Sequence, residues 1–122
     1  MSKKIVLITG TNSGFGWLIA KSVAALGHQV YATMRDTNGK NSDKAKALSE
    51  IENITVLDVA LTEENSVQSA IDTIIAKEGT IDVLVNNAGL FLPGKILEEA
   101  EGTLEMLINT NVYSAYYLSR IL

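Results

Sequence analysis

Four short apolar runs, each followed by a helical pattern, constrain this chain more than any other feature. They are Ile5-Val6-Leu7-Ile8, Val30-Tyr31-Ala32-Thr33-Met34, Ile54-Thr55-Val56-Leu57 and Val83-Leu84-Val85. β-branched residues dominate and neither face alternates to polar, which suits parallel strands covered by helices on both sides. Between the runs, Phe15, Ile19, Val23 and Leu26 fall at helical spacing and Gly27 supplies a stop. A polar second helix is expected around Ser42 to Glu50. A third has Thr62 as N-cap, Glu63 and Glu64 in the first turn, Val67, Ala70, Ile71, Ile74 and Ile75 as its stripe and Gly79 as its end. The fourth, about Glu99 to Leu122, carries Leu104, Ile108, Asn111, Ala115, Leu118 and Leu122 on one face. Strand–helix alternation with right-handed crossovers predicts an α/β fold, a doubly wound parallel sheet in the order 3-2-1-4. No linker, repeat or low-complexity stretch divides residues 1–122, and that length is too short for two cores, so one domain is expected.

Composition removes several function classes. With 47% hydrophobic residues the chain has the material for a packed core rather than a disordered coil. Its net charge is −4 and no basic run extends beyond Lys3-Lys4, which argues against nucleic acid. Without cysteine, and with His28 as the lone histidine, neither a thiolate nor a histidine metal cluster can form. The four apolar residues before Thr9 are too few for the hydrophobic core of a signal peptide, and no apolar run approaches membrane-spanning length, so a cytoplasmic protein without a membrane partner is expected.

The chemistry-bearing segment follows the first strand: Thr9-Gly10-Thr11-Asn12-Ser13-Gly14-Phe15-Gly16, and then a helix begins. Glycines there permit a tight turn, let backbone N–H groups approach a pyrophosphate and aim a helix N-terminus at the anion. The spacing is G-x-x-x-G-x-G rather than G-x-G-x-x-G. A second segment, Asn86-Asn87-Ala88-Gly89, closes the fourth strand. Together, T-G-x-x-x-G-x-G and N-N-A-G in this order resemble the short-chain dehydrogenase/reductase family. The resemblance extends over essentially all 122 residues: Leu57-Asp58-Val59 is similar to the family segment whose aspartate contacts adenine, and Asn111-Val112 to the one with its active-site asparagine.

The resemblance implies an NAD(P)-binding Rossmann-like sheet and hydride transfer between nicotinamide and a small-molecule alcohol or carbonyl. It implies that residues Thr9, Gly10, Thr11, Asn12, Ser13, Gly14, Phe15 and Gly16 surround the pyrophosphate, with Gly10, Gly14 and Gly16 as its cradle. Asp58, with Val59, would receive the adenine amino group, and Asn86, Asn87, Ala88 and Gly89 would line the adenosine ribose side. Cofactor choice is read at Thr33-Met34-Arg35-Asp36, where an acid suits NAD and a cation suits the 2′-phosphate of NADP. Met34 stands at the acidic position and Arg35 follows, which points to NADP; the alternatives are a surface Arg35 paired with Asp36, or an alignment shifted by one residue that makes Asp36 the NAD determinant. Asn111, on the stripe of the fourth helix, is expected to be buried and, by the resemblance, to hold a water in a proton relay.

The family's Tyr-x-x-x-Lys is absent from these residues. Tyr116-x-x-x-Arg120 imitates it but follows the Asn111 segment too closely, so Tyr113, Tyr116 and Tyr117 are read as packing aromatics and His28 as a loop residue. The chain is therefore expected to be the first half of an enzyme, inactive alone, whose strand 81–85 or fourth helix promotes self-association. Two further readings stay open: a non-catalytic dinucleotide-binding module, and a half-domain that assembles without any ligand.

Overall fold

The computed structural model describes residues 2–90 and 92–122. Its sheet contains β1 (Ile5–Ile8), β2 (Gln29–Met34), β3 (Ile54–Asp58) and β4 (Val83–Val85), all parallel, in the order β3-β2-β1-β4. The expected topology is thus the one observed. All four residues of β1 are buried because successive side chains enter opposite layers. Val6 and Ile8 join Val30, Ala32 and Met34 beneath α1 (Gly14–Ala25) and α2 (Ser42–Ser49). Ile5 and Leu7 join Tyr31 beneath α3 (Glu64–Glu78) and Leu118.

Three helix readings need correction. On α1 the sheet-facing residues are the small ones, Gly16, Ala20 and Ala24, while Phe15 is 79% and Leu26 66% exposed. Ile19 and Val23 are half-buried and pack with Trp17 against the same core, so the expected stripe holds for those two and fails for Phe15 and Leu26. The N-cap of α3 is Glu63 rather than Thr62 and makes no side-chain capping bond. Val67, Ile71 and Ile74 of α3 are buried, Ile75 is exposed, and Gly79 closes the helix in the left-handed region at φ +82°.

The long fourth helix is three pieces. A 3₁₀ turn, Ile96–Glu98, precedes α4 (Thr103–Ile108), which runs through a π-helical turn (Asn109–Tyr113) into α5 (Ser114–Ile121). Asn109-Thr110-Asn111-Val112 are weak helix formers, and the Ser114 hydroxyl bonds back to the Thr110 carbonyl, so the regular ladder is interrupted here. The interruption rotates the stripe. Leu118 is buried, whereas Leu104, Leu122 and Asn111 are exposed, contrary to the burial expected for Asn111. Tyr113, Tyr116 and Tyr117 pack against one another at the surface, with centroids 6.1 and 5.5 Å apart, rather than in the core. Among the described residues no helix is long and apolar enough to cross a membrane, and no group of metal-ligating side chains occurs.

Candidate functional site

Parallel strands deliver all their C-terminal ends to one edge. The register sets Ile8 beside Ala32 and Val85, and Met34 beside Asp58, so the segments that follow the four strands gather there. This is where open α/β sheets receive ligands.

The glycine segment is tied to the segment after β4. Asn87 donates its amide to the carbonyls of Thr9 at 3.2 Å and Gly10 at 3.0 Å. In return the Thr9 hydroxyl oxygen accepts the backbone N–H groups of Asn87 and Ala88, at 3.1 and 3.0 Å. Thr11 is fully buried, and its hydroxyl and N–H both donate to the Thr33 carbonyl, which fastens the loop to β2. Both threonines therefore turn inward. Two of the three glycines answer to protein contacts as well. A Cβ on Gly10, at φ +68°, would lie 2.7 Å from the Ala88 Cα, and one on Gly16 would overlap the Gly10 carbonyl oxygen.

Gly14 differs: at φ +58° it faces open space. It also opens α1, whose N-cap Ser13 makes no side-chain capping bond and whose first turn has no acidic residue. The N–H groups of Gly14, Phe15 and Gly16 precede the first intrahelical donor, the Trp17 N–H that bonds the Ser13 carbonyl, and the helix dipole adds positive potential at that point. Ser13 and Phe15 are exposed and Asn12 half-buried around it. A pyrophosphate fits this donor set.

At the end of β2, Arg35 is exposed and, among the described residues, takes part in no ion pair, including none with Asp36. Asp36 adopts a left-handed conformation at φ +52°, which reverses the chain after Arg35. The buried Asn41 side chain holds the Arg35 carbonyl at 2.6 Å. Asp58, exposed at the end of β3, accepts both the N–H and the hydroxyl of Thr37 on one oxygen, at 3.2 and 2.9 Å. Val59 points the other way: it is buried in the layer beneath α3, and its N–H bonds the Met34 carbonyl.

Beyond β4, Asn86 bonds Ser119 of α5 at 3.0 Å, while Ala88 is half-buried against Gly10 and Gly89 is exposed. Asn111 pairs reciprocally with the Leu90 backbone, accepting its N–H and donating to its carbonyl at 2.8 Å. A Cβ on Gly89 would stand 3.6 Å from the Asn111 amide oxygen, so the two segments touch at this point. Tyr116 accepts a bond from Arg120, and His28 accepts the Lys4 N–H in the turn before β2. Sequence reasoning missed Thr37, Asn41, Leu90 and Ser119. Thr37, Asn41 and Leu90 lie in stretches without periodicity and Ser119 on the exposed side of α5, and only the chain reversal at Asp36 would have pointed to the first two.

A parallel 3-2-1-4 sheet, with a glycine turn joining β1 to α1 at the carboxyl edge, defines a Rossmann-like α/β protein. Within that class, the chain belongs to the short chain dehydrogenase family, whose model matches residues 4–122. It is 36% identical over 113 residues to the 3-ketodihydrosphingosine reductase of Bacteroides thetaiotaomicron, covering 93% of this chain and 38% of that protein. Among solved structures, ElxO with NADP bound superimposes with a TM-score of 0.84 at 34% identity, covering 98% of this chain and 48% of that one. The 3-ketoacyl-(acyl-carrier-protein) reductase of Brucella melitensis complexed with NADH gives a TM-score of 0.86 at 30% identity, covering 98% and 48%. The chain thus spans less than half the length of these relatives.

Proposed function

We propose that this chain is the NADP-binding part of an oxidoreductase acting between an alcohol and a carbonyl. NADP, when bound, supplies the hydride chemistry; the residues described here bind and orient it. The first turn of α1, with Gly14, receives the pyrophosphate, flanked by Asn12, Ser13 and Phe15. Thr9, Thr11, Gly10 and Gly16 give the turn its shape. Asp58 receives the adenine amino group, and Val59 anchors that strand end from the core. Asn86, Asn87, Ala88 and Gly89 border the ribose, and Asn111 belongs to the proton relay of the whole protein.

The observation that carries the cofactor preference is Arg35, a cation at the end of β2 without an acidic partner among the described residues. Four of the chain's ten basic residues, Arg35, Lys40, Lys44 and Lys46, lie between positions 35 and 46, against only Asp36 and Asp43. That local excess within a chain of net charge −4 favours an additional phosphate. Calorimetric titration tests the reading: NADPH should bind at least about tenfold more tightly than NADH, as an added charge-assisted contact provides. Equal affinities, or a preference for NADH, would overturn it. Turnover by these 122 residues alone is expected to be absent, since they contain no Tyr-x-x-x-Lys.

A reading as a self-associating half-sheet has its own support. Among the described residues β4 pairs with β1 only, Val83 on it is 41% exposed, and Tyr116, Tyr117, Ile121 and Leu122 present an apolar surface on and beside α5. Unpaired strand edges of this kind recruit other chains. Light scattering at working concentration should then report a species larger than the monomer, and a strict monomer would remove this reading.

A further inference from the structure

We propose that Thr37 is a positioning residue that fixes the Asp58 carboxylate for adenine, an inference that rests on the adenine role given to Asp58 above. An exposed carboxylate at a strand end is ordinarily free to rotate, and ordering it on binding costs side-chain entropy. Here that freedom is removed beforehand. The Thr37 N–H at 3.2 Å and hydroxyl at 2.9 Å converge on a single oxygen, Oδ2 of Asp58. Oδ1 carries no protein bond among the described residues and is left to accept from a ligand. Because a carboxylate only accepts, the group it recognises must be a donor, such as the exocyclic amine of adenine.

The backbone explains why Thr37 reaches Asp58. β2 and β3 end side by side, with Met34 opposite Asp58. Left-handed Asp36 turns the chain back over the end of β3, so that the next residue lies above the carboxylate. The loop is held in that form by bonds from the Gly39 and Asn41 N–H groups to the Asp36 carbonyl, at 3.0 and 2.9 Å, and by the Asn41 amide on the Arg35 carbonyl. Thr37 is two residues beyond Arg35, so one short loop sets both the adenine-facing carboxylate and the cation read as the 2′-phosphate contact.

The experiment compares binding of 5′-AMP with that of purine riboside 5′-monophosphate, which lacks only the 6-amino group. Calorimetry on the wild-type chain, Thr37→Val and Thr37→Ser gives the ratio of the two affinities. Valine keeps the branched shape and the backbone donor but removes the hydroxyl; serine restores the hydroxyl. Wild type should prefer AMP by about tenfold, Thr37→Val should lose at least about threefold of that preference, and Thr37→Ser should recover it to within about twofold, as loss and return of one charge-assisted bond requires. A preference unchanged in Thr37→Val would overturn the proposal, as would equal weakening of both nucleotides, the signature of a merely structural role. Absence of any preference in the wild type would instead remove the adenine role of Asp58 and the proposal with it.

Discussion

Asn111 and Leu90 form a reciprocal pair: the asparagine side chain accepts the Leu90 N–H and donates to the Leu90 carbonyl at 2.8 Å. A side-chain amide thus replaces a strand partner for one residue of the segment after Gly89. The π-helical turn at Asn109–Tyr113 presents Asn111 on that side rather than toward the core. Asn111→Ala leaves both backbone groups to water and is expected to cost about 1–2 kcal/mol, since the pair is exposed and each bond is worth roughly 1 kcal/mol net. Urea unfolding measures the loss, and hydrogen exchange at the Leu90 amide should accelerate. Asn111→Asp keeps the acceptor and should retain about half of the stability, because only one of the two bonds is lost.

The fold was legible because its determinants are local and repetitive. Four apolar runs with glycine stops define strand order once crossovers are right-handed, and Gly79 ended its helix as expected. What failed was any judgement that depends on the distance between packed elements. Phe15 and Leu26 have helical spacing with Ile19 and Val23, yet only the latter two pack against the core, and the fully buried positions are Gly16, Ala20 and Ala24, because the contact of Gly16 with the Gly10 carbonyl sets how near the helix lies. The glycine and N-N-A-G segments were legible as motifs. Thr37 and Asn41 were not, since their importance comes from a reversal at Asp36 that periodicity does not encode.

Gly16 offers a contrast with Gly14. Alanine inside a helix ordinarily stabilises by about 0.5–1 kcal/mol over glycine. At position 16 the new methyl would overlap the Gly10 carbonyl and lie 2.5 Å from the Asn87 amide, so Gly16→Ala should destabilise by about 1–3 kcal/mol as overpacking does. At position 14 there is open space but φ is +58°, and Gly14→Ala should cost about 1 kcal/mol from backbone strain. Urea midpoints of the two variants should fall in that order, Gly16→Ala the lower.

Arg35→Asp reverses the charge offered to the 2′-phosphate without breaking a side-chain bond among the described residues, since the Arg35 contact made by Asn41 is to the backbone carbonyl. Stability should therefore change by less than about 0.5 kcal/mol, as for other surface substitutions. Dinucleotide affinity should swing toward NADH, with NADPH weakened by at least about tenfold by repulsion and loss of the charge-assisted contact. Parallel titrations with both dinucleotides check this, and unchanged NADPH affinity would remove Arg35 from the site.

Tyr31 supplies a pH dependence separate from any ligand. Its ring is buried in the layer beneath α3, and its hydroxyl donates to the Glu78 carboxylate at 2.8 Å. Burial, reinforced by the hydrogen bond to that anion and by its negative charge, raises the phenol from 10.0 to about 12. The neutral form is the one the fold favours, so the contribution is fully present below pH 10 and is lost as pH rises from 10 toward about 12. A displacement of this size corresponds to about 3 kcal/mol at its limit. Urea unfolding across pH 9 to 12 should show stability falling through that window in the wild type. Tyr31→Phe should lower stability by about 1 kcal/mol at neutral pH, from the lost bond, and flatten the alkaline decline. An equally steep decline in Tyr31→Phe would assign the alkaline loss to other groups.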